Sequence, residues 1–169
     1  MTTPLELKFQ PLCSTSEVHT AHELESACYS PDEAASLENM LYRYKHAQHL
    51  FLGAFADGTL IGYIMSTQVD GPLVTHKSMS THDPKGTTVC IHSVCVDPKW
   101  QRKGVASMLL QRYTETMQEH NRSTGDIKRL AMLSRADLVP LYERNGYKCL
   151  GPSAVSHGSE KWYDCILDI

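Results

Sequence analysis

Apolar and polar positions along the chain follow two periods. Leu5, Leu7 and Phe9 alternate with polar residues, which predicts a first strand. Ser14-Thr15-Ser16-Glu17 offers a capping box, and Val18, Ala21, Leu24 and Cys28 follow at helical spacing. Ser30-Pro31-Asp32-Glu33 reads as a second helix start, with Ala34, Leu37, Leu41 and Tyr44 as its apolar stripe. "HLFLGAFA" and "TLIGYIMST" flank Asp57-Gly58, a strong hairpin signal. Residues 70–86, with Gly71-Pro72 and Asp83-Pro84-Lys85-Gly86, read as a mobile loop. A strand over Thr88–Val96 then leads into a helix from about Gly104 to Glu119, facing inward with Val105, Met108, Leu109, Tyr113 and Met117. "NRSTGD" reads as a solvated loop, "IKRLAMLS" as a strand, "DLVPLYERNG" as a short helix ended by Gly146, and "KWYDCILDI" as a last strand. The order is α+β, with a βαβ unit in the second half that should be right-handed. No linker or repeat divides residues 1–169, which predicts one domain.

Composition narrows the function. With 41% hydrophobic and 21% charged residues the chain reads as globular. A net charge of −3 provides no basic excess for nucleic acid, and no apolar run reaches membrane-spanning length. The N-terminus lacks the apolar core of a signal peptide. Among Cys13, Cys28, Cys90, Cys95, Cys149 and Cys165 no pair has C-x-x-C spacing, so the expectation is reduced thiols in a cytoplasmic protein without a metal site. The i, i+3 pairs His19/His22 and His46/His49 have no carboxylate or cysteine beside them and read as solvated helix faces.

The most informative stretch is "VCIHSVCVDPKWQRKGVASMLLQRY", where a strand hands over to a helix through a basic glycine turn. A helix start exposes unpaired amides and the positive end of the helix dipole, and so binds phosphate well. Gly104 and Ala106 leave the backbone open to an anion, and Lys99, Arg102 and Lys103 add positive charge. A plain strand-to-helix turn, with glycine for a positive φ, is the other reading of the same residues.

Gln101-x-x-Gly104-x-Ala106 resembles the acyl-CoA pyrophosphate loop of the GNAT superfamily of N-acetyltransferases. His92-Ser93-Val94-Cys95-Val96, Leu110-Gln111-Arg112-Tyr113, Leu138-Val139-Pro140-Leu141-Tyr142-Glu143-Arg144 and the segment Gly151 to Ser159 occur in the order found in the arylalkylamine (serotonin) N-acetyltransferases and their fungal homologues. The resemblance is close from about residue 89 onward and looser before it. It implies a GNAT fold, with a twisted, mostly antiparallel mixed sheet of about seven strands flanked by about four helices. It also implies acetyl transfer from acetyl-CoA to a primary amine. On that resemblance His92 is the general base and Tyr142 the general acid. Val94, Cys95, Val96, Gln101, Arg102, Lys103, Gly104, Val105, Ala106 and Ser107 bind the cofactor.

The sequence departs from the family in two places. Cys90 stands where the family carries a second histidine, on the same strand face as His92 by alternation. The connection Cys28-Tyr29-Ser30-Pro31 is shorter than the family's aromatic-rich loop, which weakens the expectation of indole selectivity. Tyr29, Pro31 and Cys90 are the expected substrate contacts, with Tyr42 and Tyr63 as further aromatic candidates. The expected acceptor is an arylalkylamine. Asp32, Glu33 and Glu38 raise the alternative of a polyamine or diamine. A non-catalytic acyl-CoA-binding module is a third reading, against which His92 and Tyr142 both stand. A monomer acting on a small amine is the expected state.

Overall fold

The computed structural model describes residues 6–169. β1 (Leu7–Gln10) is followed by α1 (Thr15–Cys28) and α2 (Leu37–Ala47). β2 (Phe51–Ala56) and β3 (Thr59–Val69) form a hairpin, and α3 (His76–Ser80) precedes β4 (Thr88–Val96). Then come α4 (Val105–Thr124), β5 (Arg129–Arg135), α5 (Val139–Arg144), β6 (Lys148–Pro152) and β7 (Trp162–Asp168). The seven strands lie in the order β1-β2-β3-β4-β5-β7-β6. Every pairing is antiparallel except β4 with β5, the two strands joined through α4. This is the GNAT fold expected from the sequence, with the short α3 added to the helices. Of the first strand's expected residues, Leu5 lies outside the described residues.

The hairpin turn follows its sequence signal: Asp57 (φ 48°) and Gly58 (φ 76°) form a two-residue loop between Ala56 and Thr59, which face each other. The helix starts are less literal. Ser14 does cap α1, accepting from Glu17 N at 3.3 Å, while Glu17 Oε1 takes the Cys13 amide at 2.8 Å.

Ser30-Pro31-Asp32-Glu33 does not open α2. It closes a separate turn, in which the Glu33 and Ala34 amides bond Ser30 O, both at 2.9 Å. Ser36 caps the helix instead, accepting from Asn39 N at 3.1 Å. The buried face consequently carries Met40, Arg43 and Ala47 rather than the expected stripe.

Two further expectations change. The 70–86 connection is not featureless: Thr75 and Ser78 build a reciprocal capping box around α3. "NRST" is the last turn of α4, which ends at Gly125 (φ 66°). β6 was not anticipated, because its exposed and half-buried positions alternate at the sheet edge and it ends in Gly151 and Pro152.

Two apolar clusters cover the two sheet faces. Val18, Ala21, Leu24 and Met40 of α1 and α2 pack on Phe51, Phe55, Tyr63 and Met65. Val105, Leu109, Tyr113 and Met117 of α4 pack on Leu52, Ile64, Val89 and Leu130. Each fully buried Val, Leu, Ile, Phe or Met among them stabilises the fold by roughly 1.5–3 kcal/mol. Together they clamp the central strands, from which the site is built.

Candidate active site

The parallel ladder between β4 and β5 runs only from Thr88/Arg129 to Ile91/Met132, although both strands continue. Past that point the strands diverge, and the β5-facing backbone of β4 loses its sheet partner. Side chains satisfy its carbonyls. Tyr29 Oη donates to Val94 O at 3.3 Å, while Gln101 Nε2 (3.0 Å) and Cys28 Sγ (3.1 Å) donate to Val96 O. In a strand the N–H and C=O of one residue point the same way. The Val94 and Val96 amides therefore face the opening as donors.

His92 sits at the start of this divergence. Thr67 Oγ1 has a single proton, given to Ser78 O at 2.7 Å. The 2.7 Å contact between Thr67 Oγ1 and His92 Nε2 is then a bond donated by the ring. This fixes the Nε2–H tautomer and leaves the lone pair on Nδ1. Burial, then the Arg43 charge, push the imidazole well below its ordinary pKa, with the Ser78 carbonyl opposing. His92 is thus neutral at physiological pH.

His92 lines a cavity of about 280 Å³ together with Tyr29, Val94, Met132, Tyr142 and Trp162. Two buried charged residues that the sequence did not single out share its wall, Glu25 and Arg43. Glu25 accepts from Tyr63 Oη (2.8 Å), Ser93 Oγ (2.7 Å) and the Ala35 amide (3.2 Å). Arg43 donates Nε (3.1 Å) and Nη2 (2.7 Å) to Met79 O, tying α2 to α3; burial holds it down to about 10, still charged at neutral pH. Both lie on the inner faces of amphipathic helices. The one available signal was a charge at an apolar helix position, such as Glu25 next to Leu24 and one turn after Ala21.

Tyr142 is buried at the junction of this cavity with a second one of about 590 Å³, which it also lines. Burial raises its phenol well above the ordinary tyrosine range. Tyr29, Val94, Leu133 and Trp162 belong to both walls as well.

The larger cavity gathers most of the residues expected to hold the cofactor: Val94, Cys95, Val96, Gln101, Arg102, Gly104, Val105, Ala106 and Ser107. Gly104 adopts φ 80° as N-cap of α4, with open space where a side chain would stand. The first-turn amides of Val105, Ala106 and Ser107 have no helical carbonyl to bond. Lys103 is absent from this wall, its Nζ lying 5.6 Å from the centre of the Trp100 ring.

Two expected substrate contacts do not reach the site. Cys90 is fully buried against Val74, Ala131 and Ile166, which raises its thiol to about 12. Pro31 is exposed in the turn after α1 and lies outside both walls. Of the further aromatic candidates, Tyr63 only positions Glu25 from the core, and Tyr42 stacks on His46 outside the cavity. Glu33, one of the acids that raised the polyamine alternative, is buried in the cavity wall and ion-paired with Arg135. His49 packs between His82 and His120, and no group of three or more ligating side chains able to hold a metal occurs among the described residues.

The free amides at the head of α4 and the divergent strands agree with sequence comparison, in which residues 18–147 match the Acetyltransferase (GNAT) family. The chain belongs to the GNAT acetyltransferase family. It is accordingly an acetyl-CoA-dependent acetyltransferase. Among curated relatives it is 28% identical to serotonin N-acetyltransferase of Mesocricetus auratus over 160 residues, covering 83% of this chain and 75% of that one. The human serotonin N-acetyltransferase is 26% identical over the same shares. Among solved structures, the loading GNATL domain of CurA from Lyngbya majuscula superposes with a TM-score of 0.79 at 13% identity, covering 96% of this chain and 98% of that domain.

Proposed function

We propose that this GNAT enzyme acetylates the primary amine of an arylalkylamine, with His92 Nδ1 as general base and Tyr142 as the donor facing the leaving group. The observation that carries the reading is the junction of the two cavities at Tyr142 and Val94. One cavity has the amide-lined mouth suited to a coenzyme A diphosphate, and the other holds a neutral imidazole between aromatic walls. The curated relatives at 26–28% identity are serotonin N-acetyltransferases, which supports an aromatic amine as acceptor.

Acetyl-CoA supplies the activated thioester. The protein's groups supply the rest. First-turn amides of α4, with Arg102, hold a diphosphate. The Val94 amide is a donor for the oxygen that becomes negative as the amine attacks. Glu25 attracts the cationic amine to the cavity. The free-base form is the nucleophile, and the proton its nitrogen sheds as it attacks the thioester passes to His92 Nδ1 directly or through water. Tyr29 and Trp162 flank the organic part of the acceptor.

Tyr142 acts chiefly through a hydrogen bond. With its phenol raised above the ordinary range, full proton transfer to a thiolate of reference pKa near 8.5 runs uphill. Tyr142→Phe should therefore lower kcat by about 10-fold, the value of one neutral hydrogen bond, with little change in KM. A loss above about 1,000-fold would mean obligatory proton donation by the phenol instead. The acceptor class is tested by thiol release from acetyl-CoA across tryptamine, phenethylamine, octylamine and an N-terminal peptide. Tryptamine and phenethylamine should give the highest kcat/KM of these; a preference for the peptide would remove the arylalkylamine reading.

A further inference from the structure

A second cavity on the acceptor side of the sheet, about 470 Å³, lies between the 70–83 segment, Ser153–Val155 and β7. Asp164 of β7 stands in its wall, 8% exposed, and Asp164 Oδ1 is buried without a hydrogen-bond partner. A carboxylate in that state is costly unless a cation or donor arrives. Burial raises its pKa, with Ser153 opposing. Asp70 and Asp83 line the same cavity, against Lys77 as the one lysine and His82.

The cavity adjoins the catalytic one. Val74 lines both. Asp164 pairs in register with Leu133, which lines the His92 cavity. Cys90, Ala131 and Ile166 pack in one cluster and so mark one face of the sheet. By alternation Leu133 and Asp164 project from that same face. His92 stands in a bulge of β4, where the register passes from Ser66/Ile91 to Met65/Ser93, and its bond to Thr67, the partner of Cys90, places it on this face too. His92 and Asp164 stand two strands apart, which is about 10 Å by sheet spacing and more where β4 and β5 diverge.

We propose that this cavity is a subsite for a second ammonium group of the acceptor, with Asp164 as its counter-ion. The inference rests on the acetylation site described above. It extends the acceptor class to flexible amines that carry a distal cationic nitrogen, which reaches past Val74 while the near nitrogen meets His92.

The test compares octylamine with diaminooctane, which share the chain and differ in the distal nitrogen. Wild-type kcat/KM should favour the diamine by about 10-fold or more, well beyond the factor of two that two equivalent ends provide, since a close charge pair at a partly buried site is worth over 1.4 kcal/mol. In Asp164→Asn that ratio should fall towards two. The substitution is nearly isosteric and Asp164 Oδ1 has no partner to lose, so folding is retained; the wild-type comparison in any case needs no variant. A wild-type ratio near two, or a high ratio kept in Asp164→Asn, overturns the subsite. Acetylation of neither amine while tryptamine is acetylated also overturns the subsite; acetylation of none of the three, while acetyl-CoA still raises the melting temperature, overturns instead the acetylation site on which it rests.

Discussion

His92→Gln lowers kcat/KM for amine acetylation by about 10²–10⁴, the range spanned by a positioned general base, while acetyl-CoA still raises the melting temperature as in wild type. Glutamine keeps an N–H for Thr67 but offers no basic nitrogen, so the variant separates the proton-accepting role from the packing role. The pH dependence adds a second readout. The imidazole is held well below its ordinary pKa, so it stays neutral across pH 7–9 and contributes no titration there. The rising limb of kcat/KM in that range belongs to the acceptor's ammonium, of pKa about 10, and climbs by about one decade per pH unit. His92→Gln keeps this slope at a lower level.

The same shift acts on stability. The unfolded chain protonates His92 near pH 6.5, and the folded chain does so only at lower pH. Unfolding is therefore favoured as pH falls below about 6.5. His92→Gln removes this contribution and should flatten the acid limb of the melting curve. A variant with wild-type kcat/KM would show that His92 is not the base.

What the sequence made legible follows from how local each signal is. The Asp57-Gly58 turn, β4 and the head of α4 are specified by residues within a few positions, and they stand where expected. The start of α2 was misread because Ser30-Pro31 and Ser36 both satisfy the capping pattern. Packing of Met40 and Arg43 against the sheet selects the second. The roles of Glu25 and Arg43 depend on partners far along the chain, such as Ser93 and Met79, and no local pattern carries that information. Cys90 illustrates the reverse case. It shares the face of His92, as expected, with Thr67 opposite Cys90 and bonded to His92, but α3 and Val74 cover that part of the face and leave the thiol sealed. The divergence of β4 from β5 is likewise invisible in either strand alone. It emerges from the side chains of Tyr29, Cys28 and Gln101 taking carbonyls that a neighbouring strand would otherwise claim.

Ala106→Glu should abolish the stabilisation by acetyl-CoA while leaving the free enzyme at least as stable as wild type. Ala106 lies in the first turn of α4, half-buried in the wall of the larger cavity, beside the free amides of Val105 and Ser107. A carboxylate there is attracted to the positive end of the helix dipole, which favours the unliganded fold by about 0.3–1 kcal/mol. The same charge competes for the amides that would hold a diphosphate and repels it. At about 4 Å and an effective dielectric of 20, two like charges cost about 4 kcal/mol. Screening reduces that figure at this open site, which leaves an expected loss of about 100-fold in acetyl-CoA affinity. The opposite signs make the experiment decisive: one substitution strengthens the helix and empties its ligand site. Isothermal titration with coenzyme A, beside the melting temperature of the free protein, reads both effects. Wild-type affinity in the variant would place the diphosphate away from the head of α4, and the assignment of Gln101 to Ser107 as the cofactor loop would fall with it.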